Sequence, residues 1–344
     1  MSARSNIIEH PLGVRLETPL MVPSFSSKGY GFKKKRSKRA PDTSEVADAF
    51  QFAKEFLTET LLVSAYDIFY SHIPFDEDSI CTELTFIDSG GYETGGGYDI
   101  SATSKFNYDI KAWDVNQLNR VLSKWPEHKA AIAVSYDHGN HRISLKDQID
   151  SAKALFSTHS NFLSDFLIKP ETKDQQFVKV QNIIDNIQDL SGFSIIGLTE
   201  RELGSSILNR MINIAEIRRA LDNAGISSPL HIFGSLDPIT TILYFLVGAE
   251  IFDGLTWLKY SYYNDSAIYQ SNYGALNVDL GIHVSDAKVK SMSITQNTYY
   301  LEKMKYIMKD FIEYQDFEQF DELGGPGFGK ILEKHFKTFQ SNFK

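Results

Sequence analysis

Leu84-Thr85-Phe86-Ile87-Asp88-Ser89-Gly90-Gly91-Tyr92 is a short apolar run that stops on an acid and is followed by a serine and two glycines. A second stretch, Gly248-Ala249-Glu250-Ile251-Phe252-Asp253-Gly254, repeats the arrangement far along the chain. This is the pattern of a buried strand that delivers a carboxylate to the open end of a sheet or barrel. Either acid alone is better explained as a cap or ion-pair partner at a strand end. Two of them point to one shared site.

Outward from these runs, β-branched or aromatic segments alternate with segments of helical period. The expected strands are Leu20 to Phe25, Leu61 to Tyr66, Leu84 to Asp88, Ala130 to Asp137, Phe166 to Ile168, Phe193 to Leu198, Leu230 to Gly234 and Ile251 to Leu255. Between them the spacing predicts amphipathic helices over Ser44 to Thr58, Val115 to Trp125, Leu145 to Leu163, Gln175 to Leu190, Ser205 to Ala224 and Pro238 to Val247. Asp237 is placed to cap the last helix, with Pro238 at its first position. Alternation on this scale argues for an α/β protein with a parallel sheet, and eight units argue for a closed (β/α)8 barrel. A doubly wound open sheet is the alternative, but no Gly-x-Gly-x-x-Gly follows the first strand.

Two stretches interrupt the alternation, a basic run from Lys28 to Arg39 and a glycine-rich one from Thr94 to Tyr98. Residues 1–300 read as the barrel, with the basic loop at 28–39. Residues 301–344 read as a helical C-terminal extension that caps it, broken at Gly324-Gly325-Pro326-Gly327 before a basic-aromatic helix from Lys330 to Phe343.

The chain has 344 residues, 42% of them hydrophobic, enough to bury a sizeable core. A net charge of -9 and a pI near 5.5 argue by themselves neither for nucleic acid nor for membrane. Cys81 is the single cysteine, which excludes an internal disulfide and a cysteine-cluster metal site. No apolar run reaches membrane-spanning length, and Arg4, Glu9 and His10 stand where a signal peptide needs an apolar core. A cytoplasmic protein with no membrane partner is expected.

These residues resemble the tRNA-guanine (queuine) transglycosylases and their DNA-modifying relatives, over roughly residues 13 to 280 and in the family's order. Thr18-Pro19-Leu20-Met21-Val22-Pro23 is similar to the family's first strand, and Ser64-Ala65-Tyr66-Asp67 to a changed form of its Asn-Thr-Tyr-His segment. Asp88-Ser89-Gly90-Gly91-Tyr92 resembles Asp-Ser-Gly-Gly-Phe, Gly197-Leu198 with Glu202 resembles Gly-Leu-x-x-x-Glu, and Gly248 to Asp253 resembles Gly-x-Asp-x-Phe-Asp. The resemblance implies base exchange in a polynucleotide through a covalent glycosyl-enzyme intermediate, with a 7-deazaguanine-type base coming in. It makes Asp253 the nucleophile and Asp88 the general base, the pairing a double displacement needs.

By the same resemblance Asp137 accepts hydrogen bonds from the N1 and N2 edge of guanine, as a carboxylate can. Gly197 and Leu198 offer backbone hydrogen bonds to the incoming base, and Ser89 lies in the same motif as the general base. Tyr92 and Phe233 form a pair able to sandwich a flat base, with simple packing of the barrel mouth as the alternative.

Departures from the family pattern carry their own expectations. The family's zinc site of three cysteines and a histidine has no counterpart between Asn272 and Tyr300, so no zinc and no other cofactor is expected. That loss moves the expected substrate from tRNA towards DNA. Lys169-Pro170-Glu171 stands where the family has a glutamine that donates to guanine O6, which brings Glu171 into the base site and puts base selectivity in question. Lys259 retains the positive charge of the family's Pro-Thr-Arg and is a candidate phosphate contact.

From Lys28 to Arg39 there are seven lysines or arginines and no acid. In a (β/α)8 barrel this run follows the first strand, on the face that carries Asp88 and Asp253. Lys33, Lys34, Lys35, Arg36, Lys38 and Arg39 are therefore expected to hold phosphates of a nucleic acid beside the site, the alternative being a solvated loop. Asp137-His138 with His141 admits a metal reading that lacks a visible third ligand. Two other functions stay open: a catalytically silent nucleic-acid-binding subunit, and a nucleosidase or glycoside hydrolase using the same two aspartates. Homo- or hetero-oligomeric assembly is equally open.

Overall fold

The computed structural model describes residues 2–33, 43–75, 77–79, 81–95, 110–138, 141–277 and 280–343. Eight parallel strands close into a barrel in sequence order: β1 (Leu20–Phe25), β2 (Thr60–Ser64), β3 (Leu84–Asp88), β4 (Ala131–Val134), β5 (Leu163–Ile168), β6 (Ile195–Thr199), β7 (Leu230–Phe233) and β8 (Ile251–Gly254). The seam is the pairing of β8 with β1, where Asp253 lies opposite Val22. The expected (β/α)8 architecture is the one observed.

Around the barrel run α1 (Glu45–Ala53), α2 (Val115–Leu122), α3 (Leu145–Thr158), α4 (Val180–Asp185), α5 (Ile207–Asn223) and α6 (Pro238–Leu246). Local chemistry sets their starts. Ser44, Ser144 and Ser206 each accept a backbone N–H in the first turn of α1, α3 and α5, and Asp237 accepts two at the start of α6. Several boundaries differ from the sequence reading: α1 ends at Ala53, not Thr58, α2 at Leu122, not Trp125, and β4 at Val134, not Asp137. The helix expected to run from Leu145 to Leu163 stops at Thr158, because Leu163 already belongs to β5. The one expected from Gln175 begins at Val180 and ends as a 3₁₀ turn over Ile187–Leu190.

Residues of the strands divide by a period of two. Leu20, Val22, Leu84, Phe86, Ile132, Val134, Leu167, Ile195, Phe233 and Ile251 form one buried cluster inside the barrel. Their neighbours Met21, Phe166, Ile168, Ile196, Leu198, Ile232 and Phe252 belong to the larger core between strands and helices. Each such side chain taken fully out of water contributes about 1.5–3 kcal/mol. Ser24, Ser64, Asp88, Asp165, Thr199, His231 and Asp253 share the inward phase.

After β8 the chain makes an antiparallel hairpin (Tyr260–Tyr263 with Ser266–Tyr269) and a short helix (Gln270–Leu276). Then α7 (Asp286–Tyr314) returns against α1, β1 and α6 and completes the wall. The cysteine-free region between residues 272 and 300 is held by an apolar cluster of Tyr273, Leu280 and Val289. The division expected at residue 300 falls inside α7, one continuous helix. What lies outside the wall is the segment after Gln315, ending in α8 (Phe328–Asn342) on α5 and α6. Among the described residues no helix is long and apolar enough to cross a membrane.

Candidate active site

Asp253 ends its strand almost wholly buried, yet with hydrogen bonds on both oxygens. Ser24 Oγ donates to Oδ2 at 2.7 Å and the Gly234 amide donates to Oδ1 at 2.9 Å. His231 Nε2 stands 3.4 Å from the same Oδ1. Donors at these positions fix the orientation of the carboxyl group. Oδ1 faces two donors and Oδ2 one, so Oδ2 retains a lone pair for attack on an electrophile.

Asp88 lies at the same end of the barrel in a different setting. Burial is the main influence on it; against the Gly90 amide, and with the charges of Asp253 and Asp137, it pushes the carboxyl up to about 6. The turn that follows depends on its glycines. Gly90 has φ +83, and a Cβ there would meet Trp113 at 2.7 Å. A Cβ on Gly91 would lie 2.5 Å from Asp137 Cβ, so only glycine lets the Asp88 turn lie against the end of β4. Behind the turn, Glu93 is buried and accepts from the hydroxyls of Ser26 and Ser64. Burial, with Asp67 and Asp88 nearby, raises it to about 8. Asp67 accepts from the Ser27 amide at 2.7 Å and meets His72 Nδ1 at 3.0 Å. It anchors the loop that leaves β1.

Sequence reading missed a further pair. His231 Nδ1 is 2.6 Å from Asp165 Oδ2, and both side chains are fully buried in the barrel interior. Burial alone lowers a histidine pKa, but the charge and hydrogen bond of Asp165, with Asp253 beyond, outweigh it and raise His231 to about 9. Phe233 stacks on the imidazole with centroids 3.8 Å apart, and Phe86 meets it edge-on. The signal was available: His231 and Asp165 share the two-residue phase of Asp253 in their own strands, which directs all three into the barrel.

The residues expected to bind a base have partners of their own within the protein. Both oxygens of Asp137 are already engaged, Oδ1 with Arg142 at 2.9 Å and Oδ2 with Lys169 at 3.3 Å. The same two cations hold Glu202 at 3.3 and 2.7 Å, making a square of alternating charge at the mouth. A base would have to share or displace these cations. Glu171 accepts from the Leu145 amide at 3.1 Å and from Asn182 at 2.8 Å, and so ties α3 to α4. Lys169 is the donor-bearing residue at this strand end, and it also reaches Thr199 Oγ1 at 3.2 Å.

Gly197 and Leu198 lie within β6, in register with β5 and β7, so their backbone groups belong to the sheet ladders. What Gly197 supplies is room: a Cβ there would lie 2.6 Å from the Phe233 ring and 2.7 Å from Asp165 Oδ1. Phe233 is thus packed down on His231 and Gly197. Tyr92 is 41% exposed, with the Lys28 ammonium 4.4 Å from its ring centre. Ser89 Oγ is buried without a hydrogen-bond partner among the described residues.

Of the basic run, Lys33 pairs with Thr43 in a two-residue ladder, while Lys34, Lys35, Arg36, Lys38 and Arg39 fall outside the described residues. Lys28, at its start, donates to the carbonyls of Tyr92 and Gly95, which brings the beginning of the run to the Asp88 side of the mouth. Lys259 closes the helical turn Thr256–Lys259 that follows β8. Among the described residues no group of three His, Cys, Asp or Glu is arranged to hold a metal, and His138 instead packs edge-on against Tyr136. No protein-family model matches the chain, and no curated protein matches it.

Proposed function

We propose that this protein exchanges a guanine in a polynucleotide for a 7-deazaguanine derivative by double displacement. The observation that carries the reading is the unequal setting of two acids at one barrel mouth. Asp253 is held by donors on both oxygens, while Asp88 is pushed up to about 6, where it can give and take a proton. That division suits a nucleophile and an acid/base partner.

In the first half, Asp253 Oδ2 forms a bond to C1′ and the C1′–N9 bond breaks. Its electron pair goes to the departing base, which takes the proton from Asp88. In the second half, Asp88 removes the N9 proton of the incoming base, whose nitrogen forms the new bond to C1′. The ester bond breaks and its pair returns to Asp253. The alternating charges of Asp137, Lys169, Arg142 and Glu202 offer donors and acceptors for the Watson–Crick edge of a purine. DNA is favoured over tRNA, because the chain lacks the cysteines of the resembled family's zinc element.

The test is incubation with guanine-containing DNA and with tRNA in the presence of labelled 7-deazaguanine bases, followed by denaturing electrophoresis. Expected are label in the polymer and a protein–polynucleotide adduct that withstands denaturation and is absent from Asp253→Asn. Release of guanine without incorporation would make the protein a hydrolase. Binding with neither exchange nor adduct would make it a silent subunit.

A further inference from the structure

We propose that Asp165 and His231 form a charge relay behind Asp253, in which His231 is a doubly protonated positioning residue that orients the carboxylate and receives it as the leaving group of the second displacement. The inference deepens the base-exchange reading and rests on it for the leaving-group role. The charge state of the ring is a property of the resting protein.

His231 has a carboxylate oxygen at each ring nitrogen, Asp165 Oδ2 at 2.6 Å from Nδ1 and Asp253 Oδ1 at 3.4 Å from Nε2. A neutral imidazole has a single N–H, so between two carboxylates one nitrogen would point a lone pair at an oxyanion, whereas the imidazolium donates to both. The charged groups facing the ring among the described residues are Asp165 on β5 and Asp253 on β8, with Phe86 on β3 and the Phe233 ring enclosing it. Nε2 makes no completed hydrogen bond among the described residues, and neither does Asp165 Oδ1. Unpartnered polar atoms inside an otherwise apolar barrel core are costly, and apolar side chains would fill the same space more stably. A donor left long in the resting state can shorten as charge returns to Asp253 when the C1′–O bond breaks. Gly197 belongs to the device, since any Cβ there would collide with Asp165 and Phe233.

The first experiment needs neither a variant nor a substrate. In the full-length protein labelled with 15N-histidine, the ring of His231 should stay protonated on both nitrogens at pH 7 and titrate near pH 9. Its assignment comes from its contacts with Phe86 and Phe233, and Asp165→Asn should move the midpoint down. A neutral ring at pH 7 would overturn the proposal. The second experiment follows the two half-reactions in His231→Asn and His231→Gln. Release of the enzyme from the adduct should slow about 10- to 100-fold, as for loss of one hydrogen bond to a charged group, while adduct formation changes less, so the adduct accumulates. Equal slowing of both halves would reduce His231 to a packing residue. Wild-type protein that forms no adduct would sink the exchange reading, and the ring titration would still decide the charge relay.

Discussion

Ser24 Oγ and Asp253 Oδ2 are joined by a 2.7 Å hydrogen bond across the seam where the last barrel strand closes onto the first. The same hydroxyl accepts from the Gly254 amide at 3.1 Å, so its proton is directed at the carboxylate. Orientation of the Asp253 carboxylate is thereby coupled to closure of the barrel. Ser24→Ala should lower the rate of adduct formation about 10-fold or more, the range for one hydrogen bond to a charged group. Single-turnover kinetics would show it, and an unchanged rate would mean that Gly234 and His231 suffice.

Asp88→Asn should lower exchange about 10²–10⁴-fold with polynucleotide binding retained. The pH profile of the wild type is more specific. In the proposed exchange, adduct formation uses protonated Asp88 and should fall as pH rises through about 6, whereas attachment of the incoming base uses ionised Asp88 and should rise through the same value. Half-reactions with parallel pH profiles would remove Asp88 from the acid/base role.

Stability should decline as pH rises. Glu93 is raised to about 8, Glu250 to about 7 and Asp88 to about 6, all above their unfolded values. Each favours the folded state fully below its unfolded pKa, about 4, and that contribution is lost as pH climbs through the folded pKa. His231 adds a contribution present below about 6.5 and lost through about 9. Melting temperatures should therefore fall between pH 5 and 9. Glu93→Gln, which can keep both serine contacts, should flatten the profile below pH 8; an unaltered slope would show that Glu93 is not the source.

Lys169→Met leaves Asp137 and Glu202 facing Arg142 alone. We expect a loss of about 1–3 kcal/mol in denaturant unfolding, partly offset in the double variant with Glu202→Gln. Strictly additive effects would show that the charged square is not coupled.

Neutralising Lys33, Lys34, Lys35 and Arg36 together should weaken polynucleotide binding across sequences. The log-log salt slope should drop by roughly 0.7–0.9 for each phosphate no longer neutralised. Turnover at saturating substrate should hold. Collapse of turnover with affinity intact would instead identify a lid that orders the site.

Sequence by itself determined the barrel and the placing of its two acids. A parallel strand buried on both faces reads as an apolar run, and a run that stops at Asp-Ser-Gly or Asp-Gly marks where the chain leaves the sheet. Leu84 to Asp88 and Ile251 to Gly254 therefore locate Asp88 and Asp253 on one face without further information. Tertiary structure decided what surrounds them. Asp165, His231, Asp253 and Ser24 lie on four different strands, and their contact depends on barrel closure and stagger, which no local pattern records. Asp137 lies in the loop after β4, which stops at Val134, and acquired Arg142 and Lys169 as partners. Glu171, two residues past Lys169, was drawn to the amide of Leu145, because an unpaired N–H at a helix start is a stronger local claim on a carboxylate than open solvent.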